Sequence, residues 1–162
     1  MGKQSTKKNK NVYQTTREEL GYTRERAAEV LEALSPERIE RIESGKSDPH
    51  PDEVLIMADK YKKPMLCNYY CSNECPIGRL YVPEVKAKEL SQTVLEILAS
   101  LNALYEKKSE LIAITVDGKI DDSEREEFRR IQADLESISV AVETLQLWVE
   151  SAIATGKMDD GE

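Results

Sequence analysis

One histidine, one phenylalanine and one tryptophan in 162 residues leave little of the chemistry that enzymes commonly use. His50 is the sole imidazole. There is no glycine-rich phosphate loop and no nucleophile set beside a base, so nothing points to catalysis and no cofactor is implied. No apolar run approaches the roughly 18 residues of a membrane span. The N-terminal MGKQSTKKNK is basic but lacks the apolar segment of a secretory signal. The expected setting is therefore the cytoplasm, with no membrane partner. Three cysteines are an odd number, which argues against a closed disulfide framework. Proline is scarce, and all six lie before residue 84. Bases are outnumbered as well: 23 Lys and Arg stand against 31 Asp and Glu, a net charge of −8, which argues against a protein that coats nucleic acid indiscriminately.

The acidity is unevenly placed. Residues 83–162 hold 18 acids and nine bases, which leaves 13 acids and 14 bases in residues 1–82. The first 14 residues carry four lysines and no acid. This division fits a reading module attached to an assembly module. Hydrophobic residues make up 40% and charged residues 33%, which suits exposed helices around an aliphatic core.

Helix signals dominate the pattern. NVYQTTREEL, residues 11–20, predicts a first helix with Val12, Thr16 and Leu20 inward and Gly21 ending it. TRERAAEVLEALSPERIERIESGK, residues 23–46, reads as two short helices joined by a tight turn. The first runs over about 23–32. The second is capped by Ser35, whose oxygen can accept from an orphan backbone N–H, and starts at Pro36, which has no N–H to lose. Gly45 supplies the left-handed closing residue. Ala27, Ala28 and Leu31 on one helix, and Ile39 and Ile42 on the other, form the apolar faces. A proline-started helix then carries Val54, Leu55, Ala58 and Tyr61 inward. A short fifth helix follows over MLCNYYCSNEC.

From residue 85 the texture changes. Leu90, Val94, Ile97, Leu101, Leu104 and Leu111 recur at helical spacing, and so do Phe128, Ile131, Leu135, Ile138, Val142, Leu145 and Ala152. Two helices of roughly 28 to 33 residues, joined by a turn at Gly118, form an antiparallel hairpin about 40 to 50 Å long. Val140, Leu147 and Trp148 widen its apolar stripe beyond what a hairpin covers alone. A second copy, forming a four-helix dimer, is the expected cover; folding back on the N-terminal bundle is the alternative. The turn TVDGKIDDSE lacks two carboxylates of a calcium loop, and Asp121 with Glu124 reads instead as a helix cap. The organisation is thus all-α: 11–76 a helix-turn-helix bundle, 77–84 a hinge, and 85–156 a dimerising hairpin.

The 23–46 stretch resembles the Xre-type helix-turn-helix family, which includes Cro and phage-repressor-like proteins. The resemblance rests on Thr23-Arg24, Ala28, Ser35-Pro36 and Ile42-Glu43-Ser44-Gly45-Lys46, with Pro49, Pro51 and VLIMADKY following. It covers roughly residues 12 to 65. It implies a sequence-specific transcriptional regulator that binds double-stranded DNA, and the wide apolar stripe of the hairpin makes the expected form a homodimer. By that resemblance Arg24 clamps a phosphate. Ser35, Pro36, Glu37, Arg38 and Arg41 face the major groove, and Ser44 and Lys46 meet the backbone. Arginine can bond guanine bidentately and glutamate can accept from cytosine.

Lys7, Lys8 and Lys10, with Lys3, read as an arm that follows phosphates or as a solubilising tail. Glu37, Glu40 and Glu43 balance Arg38, Arg41 and Lys46, and Glu37 can pair with Arg41 one turn on. Binding per subunit is therefore expected to be weak. A protein-interaction adaptor of antirepressor or antitoxin type is the alternative. Cys67, Cys71 and Cys75, at C-x3-C spacing, read as small core residues or as a thiol- or metal-responsive site. No metal is assigned to them, since a structural zinc site wants four ligands. The segment NYYCSNECPIG resembles an extension found after Xre-type domains in Gram-positive anaerobes and their mobile elements.

Overall fold

A computed structural model of the chain describes residues 10–86, 88–115, 120 and 122–158. The protein is all-helical. It divides into two compact units, residues 1–84 with 149–162, and residues 85–148.

In the first unit, α1 (Val12–Glu19) is capped by Asn11, whose side chain accepts from the Gln14 N–H. Gly21, at φ +71°, turns the chain after it. Thr16 is buried as its spacing predicts, whereas Val12 and Leu20 sit only at the edge of the core. The deeper positions belong to Tyr13, Gln14 and Arg17, whose polar ends find hydrogen-bond partners inside the fold. Thr23 caps α2 (Arg24–Leu31) by accepting from the Arg26 N–H. Ser35 caps α3 (Pro36–Glu43) by accepting from the Arg38 N–H, and Gly45 closes that helix at φ +69°. Ala27 is fully buried, which lets α2 and α3 approach closely.

Helix α4 (Pro51–Tyr61) starts at its proline and ends on Lys62 in the left-handed region. Its inward face is Val54, Met57, Ala58 and Tyr61. Leu55, expected inside, is exposed, because it lies about 100° from Val54 around the helix. The segment expected as one short helix is two structures: α5 (Met65–Tyr69) runs into a π-helical turn over Tyr70–Glu74. The hinge region also contains a helix, α6 (Gly78–Tyr81), seated on that turn. A side chain on Gly78 would place its Cβ 2.0 Å from the Cys71 carbonyl oxygen, so only glycine permits this contact.

The second unit contains α7 (Leu90–Glu106), α8 (Lys108–Thr115) and α9 (Arg125–Ala154), whose residues from 149 on group with the first unit. The first hairpin helix is thus shorter than expected, interrupted at Lys107. The Gly118 turn and Asp121 lie outside the described residues. Lys107 Nζ meets Asp134 Oδ2 at 2.6 Å at the end of α7, and Glu96 and Ser100 lie across a groove from Ser137 and Ala141 further along α9, so the two helices run antiparallel. Thr93, Ile131 and Ala141 are buried within this unit.

Candidate nucleic-acid interface

Helix α3 separates an inward face from an outward one. Ile39, Ile42 and Glu43 are buried. Glu37, Arg41 and Ser44, spaced four and three residues apart, form an exposed stripe on the opposite side.

The buried carboxylate of Glu43 holds three helices in register. Arg17 donates to both its oxygens, at 2.5 and 2.9 Å, and Arg24 Nε donates to Oε2 at 2.9 Å. Arg17 also donates to the Tyr22 carbonyl. The side chains of Arg17 and Glu43 are only 7% and 2% exposed, so each charge depends on the other for its lost hydration. The Glu43 carboxylate raises the Arg17 pKa and keeps its guanidinium protonated. Asn11 adds a further tie by donating to the Ile42 carbonyl at 2.8 Å.

Arg38 lies beside α4 rather than on the outward stripe. Its Nε and Nη2 donate to the two oxygens of Glu53, at 2.7 and 2.6 Å. Nη1 donates to Ser47 Oγ at 2.6 Å and Nη2 to the Asp48 carbonyl at 3.0 Å. Glu53 Oε2 in turn accepts from the His50 N–H at the start of α4. The hydrogen bond from Arg38 is the main reason the Glu53 carboxyl titrates below its usual range. The guanidinium expected at a base edge is therefore taken up in a clasp between α3, the following loop and α4.

The remaining expected contacts divide similarly. Arg24 is bound to Glu43, with its side chain 36% exposed. Lys46 is exposed and pairs with Glu40 at 2.9 Å. Lys10 pairs with Glu18 at 2.5 Å. Lys3, Lys7 and Lys8 lie outside the described residues. Ser35 spends its oxygen on the helix cap, and Pro36 is half-buried. The i, i+4 pair between Glu37 and Arg41 does not form: Glu37, held ionised mainly by its own backbone N–H and then by Ser35, turns to the helix start. Arg41 is exposed, and no partner among the described residues takes up its guanidinium.

Residues 14–66 match the family model for the helix-turn-helix domain. This segment is an Xre-type helix-turn-helix domain. The match covers about a third of the chain, and no curated protein and no solved structure matches it.

Within the helix-turn-helix domain, α2 and α3 are the paired helices. The cysteines begin one residue beyond the matched span. All three are free and half-buried. Burial pushes the Cys67 and Cys71 thiols up, and the neighbouring thiol of Cys71 adds to the effect on Cys67, so both favour the protonated form. The Gly78 N–H approaches Cys75 Sγ at 3.4 Å. Among the described residues no group of three or more His, Cys, Asp or Glu is placed to hold a metal ion. Just beyond the matched span, Tyr13 donates to Glu74 Oε2 at 2.7 Å and its ring meets Tyr69 edge-on, so the extension is fastened to α1. Nothing in the spacing of residues 65–75 announces that link, because Tyr13 and Glu74 are 61 residues apart.

The helix-turn-helix family is one of DNA-binding regulators and offers no support for an enzymatic role. No helix among the described residues is long and apolar enough to cross a membrane.

Proposed function

We propose that this protein is a sequence-specific transcriptional regulator that binds double-stranded DNA as a homodimer, with the helix-turn-helix domain reading the duplex and the C-terminal hairpin joining two copies. The observation that carries the reading is the outward stripe of α3, where Arg41 stands exposed between Glu37 and Ser44 with no partner among the described residues. A guanidinium in that position can donate two bonds to guanine, and Glu37 can accept from a cytosine amine. Ser44 at the end of the stripe, with Lys46 and Arg24, suits the phosphates. Arg38 and Glu43 act from within, by holding α3 at a fixed angle.

Because Arg38, Arg24 and Lys46 already have carboxylate partners, each copy brings little free positive charge to the phosphates. Two copies on one site multiply what one cannot supply. Randomised-site selection with the full chain at low salt tests the reading. Enrichment of one motif supports it, and a pool that stays random refutes it.

The same neutralised surface favours a second reading, in which α3 contacts a protein rather than DNA. An Arg38→Ala, Arg41→Ala double variant that loses a protein partner, in a chain that selects no DNA site, would support that adaptor role.

A further inference from the structure

The hairpin unit has two unlike faces. On α7, Leu90, Val94, Leu98, Leu101 and Tyr105 recur at four, four, three and four residues. All remain exposed, from 36% at Leu90 to 75% at Tyr105. At 100° per residue they share a sector of roughly 80°. On α9, Leu135 and Val142 sit seven residues apart and are 47% and 41% exposed. Because α7 and α9 run antiparallel, both stripes fall on the same side of the hairpin. The opposite side is a groove lined by Glu96 and Ser100 of α7 and by Ala133, Glu136 and Ser137 of α9.

Along α7 the edge of the apolar face carries no charge between Leu90 and Tyr105. Ser91 and Asn102 border it on α7, and Gln132, Ser139 and Gln146 border it on α9, all exposed, with Glu143 and Glu150 on that same α9 edge. The uncharged α7 edge is unusual in a segment where residues 83–162 hold 18 acids. Two copies of an acidic chain can therefore meet along α7 without burying a carboxylate. The seven exposed apolar side chains leave roughly 600 Å² per copy uncovered, so pairing two copies buries at most roughly 1,200 Å², where specific stable interfaces begin. Single-copy surfaces seldom keep so much contiguous apolar area in water.

We infer that a second copy of this chain docks on the face formed by Leu90, Val94, Leu98, Leu101 and Tyr105, with the two α7 helices antiparallel about a two-fold axis near Leu98. The spacing of the stripe is close to palindromic about that point. Antiparallel pairing sets Val94 against the second copy's residue 101 and Leu90 against its residue 105, and brings the two Leu98 side chains together. Each apolar side chain then meets another, as a knob-and-hole seam requires. The small-residue groove stays outward. This interface rests on the homodimer reading above and makes it specific.

Mass measurement by light scattering on the full chain, without DNA, is the test. The native chain should run at twice 18.4 kDa. Leu98→Glu should raise the dimer dissociation constant by about 100-fold or more, since it places two carboxylates against each other in an apolar seam. Its helical circular dichroism should be unchanged, because Leu98 is already half exposed. Tyr105→Glu, at a still more exposed position, should act in the same direction. Val94→Glu and Leu101→Lys should each weaken the dimer, and the double variant should regain it, because antiparallel packing sets opposite charges together. Ser100→Glu, on the other side, should leave the dimer intact.

A native dimer untouched by Leu98→Glu and Tyr105→Glu would overturn this interface while leaving the homodimer reading standing. A native monomer at high concentration would overturn both. A double variant that stays monomeric would overturn the antiparallel seam. A DNA selection that enriches nothing, with the masses as predicted, would sink the regulator reading and leave the interface in place.

Discussion

Replacing Arg38 by alanine separates a structural role from a reading role. The guanidinium makes four hydrogen bonds, two to Glu53, one to Ser47 Oγ and one to the Asp48 carbonyl. Its side chain is 22% exposed and that of Glu53 is 14% exposed. A fully exposed ion pair contributes about 0 to 1 kcal/mol, while breaking a fully buried one costs about 3 to 5 kcal/mol. This clasp lies between, so Arg38→Ala should destabilise the helix-turn-helix domain by about 2 kcal/mol. For a domain of this size that lowers the melting temperature by about 8 to 16 °C.

Thermal and urea melts followed by circular dichroism provide the readout, with Glu53→Ala and the double variant completing a cycle. A coupling energy of about 1 to 2 kcal/mol between the two sites is expected. Arg38→Lys should recover only part of the loss, because an ammonium cannot bridge both carboxylate oxygens and the loop at once. If Arg38→Ala melts like the native chain and instead changes which base pair is preferred, the clasp is not what holds α3 in place, and the structural assignment fails.

Three further outcomes follow from the same contacts. Glu43→Ala leaves Arg17 buried without its carboxylate and should cost about 3 to 5 kcal/mol, visible as loss of cooperative unfolding in the first unit; native-like melts would contradict the buried cluster. Gly78→Ala forces a Cβ against the Cys71 carbonyl, so hydrogen exchange over residues 70–81 should speed up while α2 and α3 stay protected; unchanged exchange would contradict the close packing of α6 on the π turn. Glu53 titrates below its ordinary value of 4.5 in the folded state, so its contribution is complete above that value and is lost as pH falls through the lower folded value. Stability should therefore drop on acidification below about pH 4.5, and Glu53→Gln should flatten that drop; an equally steep profile in the variant would remove Glu53 from the account.

Local signals were legible in the sequence where one residue decides one backbone feature. Thr23, Ser35, Pro36, Gly21 and Gly45 each sit where the pattern places them, because a cap, a missing N–H or a positive φ is a local requirement. The apolar periodicity of α3 was equally plain. The sequence did not reveal where the long polar side chains go. Arg38 has the same spacing whether it reaches a base or reaches Glu53, 15 residues later, and only the loop through Ser47 and Asp48 decides between them. Glu43 reads as part of a charged, solvated helix until Arg17 and Arg24 are seen converging on it from two other helices. The Leu55 expectation failed for a simpler reason: Val54, Met57, Ala58 and Tyr61 make a complete inward face, and a neighbouring leucine cannot join it. The break at Lys107 falls within the polar run Glu106–Glu110, between Leu104 and Leu111, with no glycine or proline to announce it.

Two arginines of α3, Arg38 and Arg41, have the reach of a base, and only Arg41 lies on the outward stripe. The selected duplex, once obtained, can be rebuilt with each position changed in turn and bound to the native chain, to Arg41→Ala and to Arg38→Ala. Arg41→Ala is predicted to erase the preference at one base pair in each half-site, a loss of about 1 to 3 kcal/mol in discrimination. Arg38→Ala is predicted to weaken binding evenly and leave every preference in place. The reverse result, with base preference lost from Arg38→Ala and kept in Arg41→Ala, would contradict the assignment of the outward stripe.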